Sequence, residues 1–145
     1  SRDMSPMDRL VAPLGFTAEA SQSAKDRAVL DSGLTKAQYN ALLMLRHSGE
    51  ATASQLARDC NISQQAMSQT VKRLSEAEFI TLHPSPHGGR ALVLRLTARG
   101  ESSLTTADKR VRALEQSLQD AAAPSRVDDL LTALDRIREA ATLYD

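Results

Sequence analysis

The sequence predicts a mainly α-helical fold that carries one small β-hairpin between a set of short helices and a set of long ones. Three observations predict it. Aromatic residues make up only 3% and tryptophan is absent, so the core must be built from Leu, Val, Ile, Ala and Met, which favours helices packed on helices. Apolar residues recur every three or four positions over most of the chain. Only between Ile80 and Leu96 does the pattern change to the alternation of a strand.

The first helix is expected to begin near Pro13, where proline suits a first-turn position, and to run through Ala18, Ala24, Ala28 and Leu30 until Gly33 stops it. Thr35-x-x-Gln38 has the spacing of a capping box and opens a second helix, with Ala41, Leu42 and Leu45 on one face and Gly49 at its end. A second such box, Thr52-x-x-Gln55, opens a third helix carrying Leu56 and Ala57. Asn61-Ile62-Ser63 is a tight connection, with Ser63 as N-cap of a fourth helix that reaches about Ala77. Ile80-Thr81-Leu82 and Leu92 to Leu96 then read as two strands, the second with Leu92, Leu94 and Leu96 on one face. Pro84-Ser85-Pro86-His87-Gly88-Gly89 between them is a loop by composition. From Thr97 the pattern is helical again: Leu104, Ala107, Val111, Leu114 and Leu118 form a coiled-coil-like seam that Pro124 breaks. Ser125-x-x-Asp128 is the expected cap of a last helix, with Val127, Leu130, Leu134, Ile137 and Ala141 on one stripe.

Composition narrows the function classes. Hydrophobic residues at 41% and charged residues at 25% describe a globular chain. No run approaches the ~18 apolar residues of a membrane span, and no charged segment followed by an apolar run opens the sequence, so neither membrane insertion nor secretion is expected. The lone Cys60 excludes an intrachain disulfide framework, and a cytoplasmic protein is expected. Net charge is zero but unevenly distributed. Residues 1–57 hold six basic and six acidic side chains, residues 58–99 six against three, and residues 100–145 six against nine. The middle is therefore +3 and the tail −3, and local charge decides which face meets phosphate.

The fourth helix carries the chemistry. On a wheel at 100° per residue, Ala66, Met67, Thr70, Val71, Leu74 and Ala77 share an arc of about 140° that can seat the helix on the second and third. Gln64, Gln65, Ser68, Gln69, Lys72, Ser75 and Glu76 share the other. Glutamine offers a donor and an acceptor and can pair with the N6/N7 edge of adenine, serine pairs with several base edges, and Lys72 and Arg73 supply charge for phosphate. A short helix, a three-residue turn and a second helix with such a face form a helix-turn-helix, whose second helix enters the major groove. Glutamine and serine also decorate ordinary solvated helix faces. The hairpin that follows directly makes the pattern the winged variant, whose tip, with His87, Gly88, Gly89 and Arg90, can reach the adjacent minor groove.

Residues 14–145 resemble the MarR family of multiple-antibiotic-resistance-type regulators. The resemblance runs through Gly33-Leu34-Thr35-x-x-Gln38-Tyr39, Gln55-Leu56-Ala57, Ile62-Ser63-x-x-Ala66-Met67-Ser68, Val71-Lys72-Arg73-Leu74, Phe79-Ile80 and Arg90-x-Leu92-Val93-x-x-Leu96-Thr97-x-x-Gly100. It implies an obligate homodimer on a pseudo-palindromic operator, dimerised through the first helix and the last two. Many members release DNA when a small aromatic or phenolic ligand binds between head and dimer module, so a small-molecule effector is an implied further partner. This chain departs from the family at two places. Gly88 stands where the wing often has an Asp two positions before its arginine, which removes an Asp–Arg90 brace; Gln69 stands where many members have arginine, which shifts readout toward neutral hydrogen bonding.

Other residues have plainer readings. Cys60 occupies the place of a core leucine in the turn, away from the first helix where sensing cysteines of relatives lie, and reads as an inert thiol. His47, His83 and His87 lack the spacing and neighbouring carboxylate of a metal site. Gly88-Gly89 lacks the Lys-Ser/Thr of a phosphate loop, and Phe16 and Tyr39 read as packing residues although both could line a ligand pocket. No nucleophile–base pair or paired carboxylate suggests an enzyme, and no cofactor is expected.

The expected organisation is therefore an N-terminal dimerisation helix over 1–34, a winged helix-turn-helix head over 35–97, and C-terminal dimerisation helices over 98–145. The expected function is regulation of transcription on double-stranded DNA, usually as a repressor. Gln64, Gln65, Ser68 and Gln69 would read bases, while Lys72, Arg73, His87 and Arg90 would hold phosphate or the minor groove. The alternative class is a protein-interaction dimer that keeps the fold without binding DNA, which zero net charge, Gln69 and Gly88 leave open.

Overall fold

A computed structural model describes Ser5 and residues 9–144; the remaining positions of the 1–34 and 98–145 segments lie outside the described residues. The elements follow in the order α1 (Val11–Asp31), α2 (Lys36–Ser48), β1 (Ala51–Thr52), α3 (Ala53–Asp59), α4 (Gln64–Glu76), β2 (Ile80–Pro84), β3 (Leu92–Leu96), α5 (Ala98–Ala121) and α6 (Val127–Leu143). The chain divides into two compact units, one ending at Val111 and the other beginning at Arg112, so the division falls within α5.

In the first unit, local capping chemistry sets the helix starts. Thr35 Oγ1 accepts from the Gln38 amide at 3.2 Å while Gln38 Oε1 accepts from the Thr35 amide at 2.8 Å. Thr52 and Gln55 repeat the arrangement at α3 with the same two distances. Both boxes satisfy amides that a helix N-terminus leaves without intrahelical partners. Ser63 caps α4 by accepting from the Ala66 amide at 3.0 Å. Gly33 and Gly49 follow α1 and α2 at φ +92° and +83°, a backbone region that favours glycine. Ser63→Ala is expected to cost about 1 kcal/mol of stability, read as a lower denaturant midpoint at unchanged m-value.

Leu34, Leu42, Leu45, Leu56, Met67, Leu74, Leu94 and Leu104 are fully buried in one core shared by α2, α3, α4, β3 and α5. Among the described residues the buried polar one is Thr70, whose hydroxyl donates to the Ala66 carbonyl at 3.0 Å and so leaves no stranded donor.

The sheet has three strands, not the two of the expected hairpin. β3 is central, antiparallel to both neighbours, with Ile80↔Leu96 through Pro84↔Leu92 on one side and Ala51↔Leu94 and Thr52↔Val93 on the other. Pro84, expected in the loop, ends β2, an edge strand where a missing N–H is tolerated. Leu92, Leu94 and Leu96 alternate along β3 as expected, but their burial is uneven: Leu94 is buried and Leu96 half-buried. Val93 is buried within the three-stranded part, whereas Leu92, beyond the last β1 pairing, is 47% exposed.

In the second unit, α5 continues to Ala121, and a 3-10 turn at Pro124–Arg126 leads into α6. Ser125 does not cap α6 as expected. It lies inside that turn; Arg126 holds the N-cap position and no side chain caps the helix. Leu118, Leu130, Leu131 and Leu134 border an open apolar groove along α5 and α6 and are all substantially exposed.

Candidate nucleic-acid interface

α4 is strongly two-faced. Met67, Thr70 and Leu74 are buried and Ala66, Val71 and Ala77 half-buried, so the arc expected to seat the helix does so. Gln64, Gln65, Ser68, Gln69, Lys72 and Arg73 are all exposed. They line one side of a single thirteen-residue helix, held by the Ser63 cap at its start and by α3 packed against it.

The turn between α3 and α4 is fixed by backbone bonds. Cys60 N donates to Leu56 O at 2.9 Å, Asn61 N to Arg58 O at 3.1 Å and Ile62 N to Ala57 O at 3.0 Å. Asn61 takes φ +54°, which asparagine tolerates better than most side chains. Cys60 is half-buried beside the core, and burial, followed by the adjacent Asp59, raises its thiol above the ordinary cysteine value. A thiol shifted that way is less nucleophilic at neutral pH, which matches a packing role.

The hairpin places His87 and Arg90 at an exposed tip, where Gly88 and Gly89 take φ +82° and +88°. The tip is held locally: His87 N donates to Ser85 Oγ at 3.3 Å and Gly88 N to Ser85 O at 3.2 Å.

The basic residues of the 58–99 segment separate into two groups. Arg95 donates through Nε and its terminal nitrogen to Glu50 at 3.1 Å each, and Arg99 reaches Glu78 at 3.4 Å. Among the described residues, Arg58, Lys72, Arg73 and Arg90 have no carboxylate within ion-pair distance and are exposed. The unpaired charge is thus on α3, α4 and the hairpin tip. Sequence reasoning missed two features of this surface: the pairing of Arg95 and Arg99, and a bond from Ser54 in α3 to Gln64 in α4. Neither follows from spacing along the chain, because each joins different elements.

A model described as the MarR family matches residues 32–91, the stretch that holds α2 through the hairpin tip. HTH-type transcriptional repressor Rv2887 of Mycobacterium tuberculosis is 31% identical over 113 residues, covering 78% of this chain and 79% of that protein. The chain belongs to the MarR family. It is accordingly a transcriptional regulator and not an enzyme.

Solved structures share the MarR-family fold of this chain. The transcriptional repressor CouR bound to a 23-mer DNA duplex is 23% identical, covers 95% of this chain and 99% of its own, and superposes with a TM-score of 0.79. A cysteine-to-serine mutant of MarR from E. coli complexed with operator DNA is 21% identical, with 92% and 99% covered and a TM-score of 0.72. Among the described residues no helix is long and apolar enough to cross a membrane, and no three His, Cys, Asp or Glu side chains gather as a metal site would require.

Proposed function

We propose that this MarR-family chain is a cytoplasmic, homodimeric repressor that reads a pseudo-palindromic operator with α4 in the major groove and the hairpin tip in the adjacent minor groove. One observation carries the reading: the side of α4 opposite its buried arc presents three glutamines, a serine and two cations with no ion-pair partner among the described residues. Amide and hydroxyl groups that face water in the free protein can exchange it for base edges at little cost, and the cations gain by releasing counterions from phosphate. Gln64, Gln65, Ser68 and Gln69 are the proposed base readers; Lys72, Arg73, His87 and Arg90 are the proposed backbone and minor-groove contacts.

In this reading residues 35–97 form the head, and residues 1–34 and 98–145 pair with a second copy. Exposed apolar side chains support it: Phe16 and Leu30 on α1 are 70% and 64% exposed, and Leu131 on α6 is 58% exposed, more than a monomer needs to leave in water. Half-sites would lie about one helical turn, ~34 Å, apart. Release by a small aromatic or phenolic ligand is part of the proposal. An open cleft at Leu43, Met44, Arg46 and His47, with apolar walls at Leu43 and Met44, supports it.

The test is affinity for a pool of random duplex DNA over a salt series, followed by selection of the preferred sequence. The expected result is a steep inverse salt dependence and a two-fold related consensus. Salt-independent or absent binding would favour a protein-interaction dimer instead. Gln65→Ala is expected to relax one base position per half-site by about 1–3 kcal/mol while leaving the salt slope unchanged, as read from selection and titration together.

A further inference from the structure

Gln64 differs from the other glutamines of α4. It is the first residue of that helix, and Ser54, in the first turn of α3, donates from Oγ to Gln64 Oε1 at 3.2 Å. Both side chains are exposed, so the bond lies at the surface proposed for DNA and not in the core. Among the described residues, Gln65 and Gln69 make no side-chain hydrogen bond.

The consequence follows from the shape of a glutamine amide. Its acceptor oxygen and donor NH2 lie on opposite arms of a rigid plane. A bond that directs Oε1 to Ser54 turns the NH2 arm away from α3 and fixes the plane. Pairing with adenine requires both arms at the base, the oxygen taking a proton from N6 and the nitrogen giving one to N7. A glutamine whose oxygen is directed at a protein hydroxyl presents two N–H donors instead. In the major groove guanine is the base that shows two adjacent acceptors, N7 and O6.

We propose that Ser54 is a positioning residue: it orients Gln64 so that this glutamine prefers guanine, while Gln65 and Gln69 retain the option of adenine. The proposal rests on α4 being the recognition helix and adds to it a residue on the preceding helix that sets base preference without touching DNA.

The experiment uses the full chain and a pool of randomised duplex DNA, with sequence selection and binding curves over a salt series for the wild type, Ser54→Ala, Ser54→Thr, Gln64→Ala and the double alanine variant. Ser54→Ala should lower the preference for guanine over adenine at one position per half-site by roughly tenfold. Gln64→Ala should flatten that same position, and the double variant should match Gln64→Ala alone. Ser54→Thr, which keeps the hydroxyl, should restore the wild-type profile. All should share the wild-type salt slope and the wild-type melting temperature within a few degrees. An unchanged profile in Ser54→Ala, a change at a position Gln64→Ala does not affect, or additive effects in the double variant would each overturn the positioning role. A wild type that selects no sequence would overturn the reading of α4 itself, which separates the two failures.

Discussion

Gly100→Ala is expected to destabilise the protein by about 3 kcal/mol or more, although the same change in an open helix position stabilises by up to about 1 kcal/mol. Gly100 is buried in the first turn of α5, and a Cβ there would stand 2.1 Å from the Phe79 carbonyl oxygen and 2.9 Å from its carbon. Backbone atoms cannot rotate aside as a side chain can, so α5 would have to move away. That movement would strain the two bonds that tie its start to the turn after α4, Thr97 N to Phe79 O at 3.1 Å and Thr97 Oγ1 to Glu78 O at 2.7 Å, and with them the cap in which Gly100 N donates to Thr97 Oγ1 at 3.0 Å. The residue joined to Thr97 there, Glu78, already sits at φ +62°, a region costly for a side-chain-bearing residue. Gly15 supplies the contrast. It lies in the interior of α1, where a Cβ would meet no other described residue within 4 Å beyond its own stretch of helix, so Gly15→Ala should stabilise by up to about 1 kcal/mol. Denaturant unfolding of both variants reads the two signs. A Gly100→Ala protein as stable as the wild type would mean that α5 does not approach Phe79 this closely.

The two glycines look alike in sequence, and that shows what spacing can and cannot convey. Whatever depends on neighbours within a turn was readable: the boxes at Thr35 and Thr52, the Ser63 cap, the stop at Gly49 and the two arcs of α4. Each is an interaction between residues three or four positions apart, so its signal lies in one short window. What depends on a distant partner was not readable. β1 is two residues long, too short for alternation to register, and it exists because Ala51 and Thr52 pair with Leu94 and Val93. The burial of Val93 and exposure of Leu92 follow from that third strand. Ser125 has a capping residue's spacing, but Pro124 directs the chain into a 3-10 turn first. The hydrogen bond from Tyr39 to Asp108, at 3.0 Å, links α2 to α5 and has no local signature either. At the candidate interface the same division holds. The exposed face was legible from periodicity, whereas the pairing of Arg95 with Glu50 and of Ser54 with Gln64 required coordinates.

That pairing bears on the second large effect. Replacing Lys72 and Arg73 together by alanine should weaken binding to every duplex by roughly 60-fold at about 0.1 M salt and flatten the slope of log K against log salt by about 1.8. Each cation that neutralises a phosphate contributes about 0.9 to that slope, and the loss is uniform because phosphates carry no sequence information. Lys72 lies roughly 10 Å along the helix axis from Gln65, beyond the residues that would meet base edges and where a helix in the major groove runs toward the backbone. Charge alone does not decide the outcome, and Arg95→Ala is the control. Arg95 already spends its guanidinium on Glu50, so its removal should leave the slope close to that of the wild type although it deletes as much formal charge as the loss of Lys72 alone. If Arg95→Ala flattened the slope as much as the loss of Lys72, long-range charge and not contact would govern binding. If the double variant instead lost sequence preference at constant slope, the cations and the glutamines would have exchanged roles, and α4 would have to enter the groove the other way round.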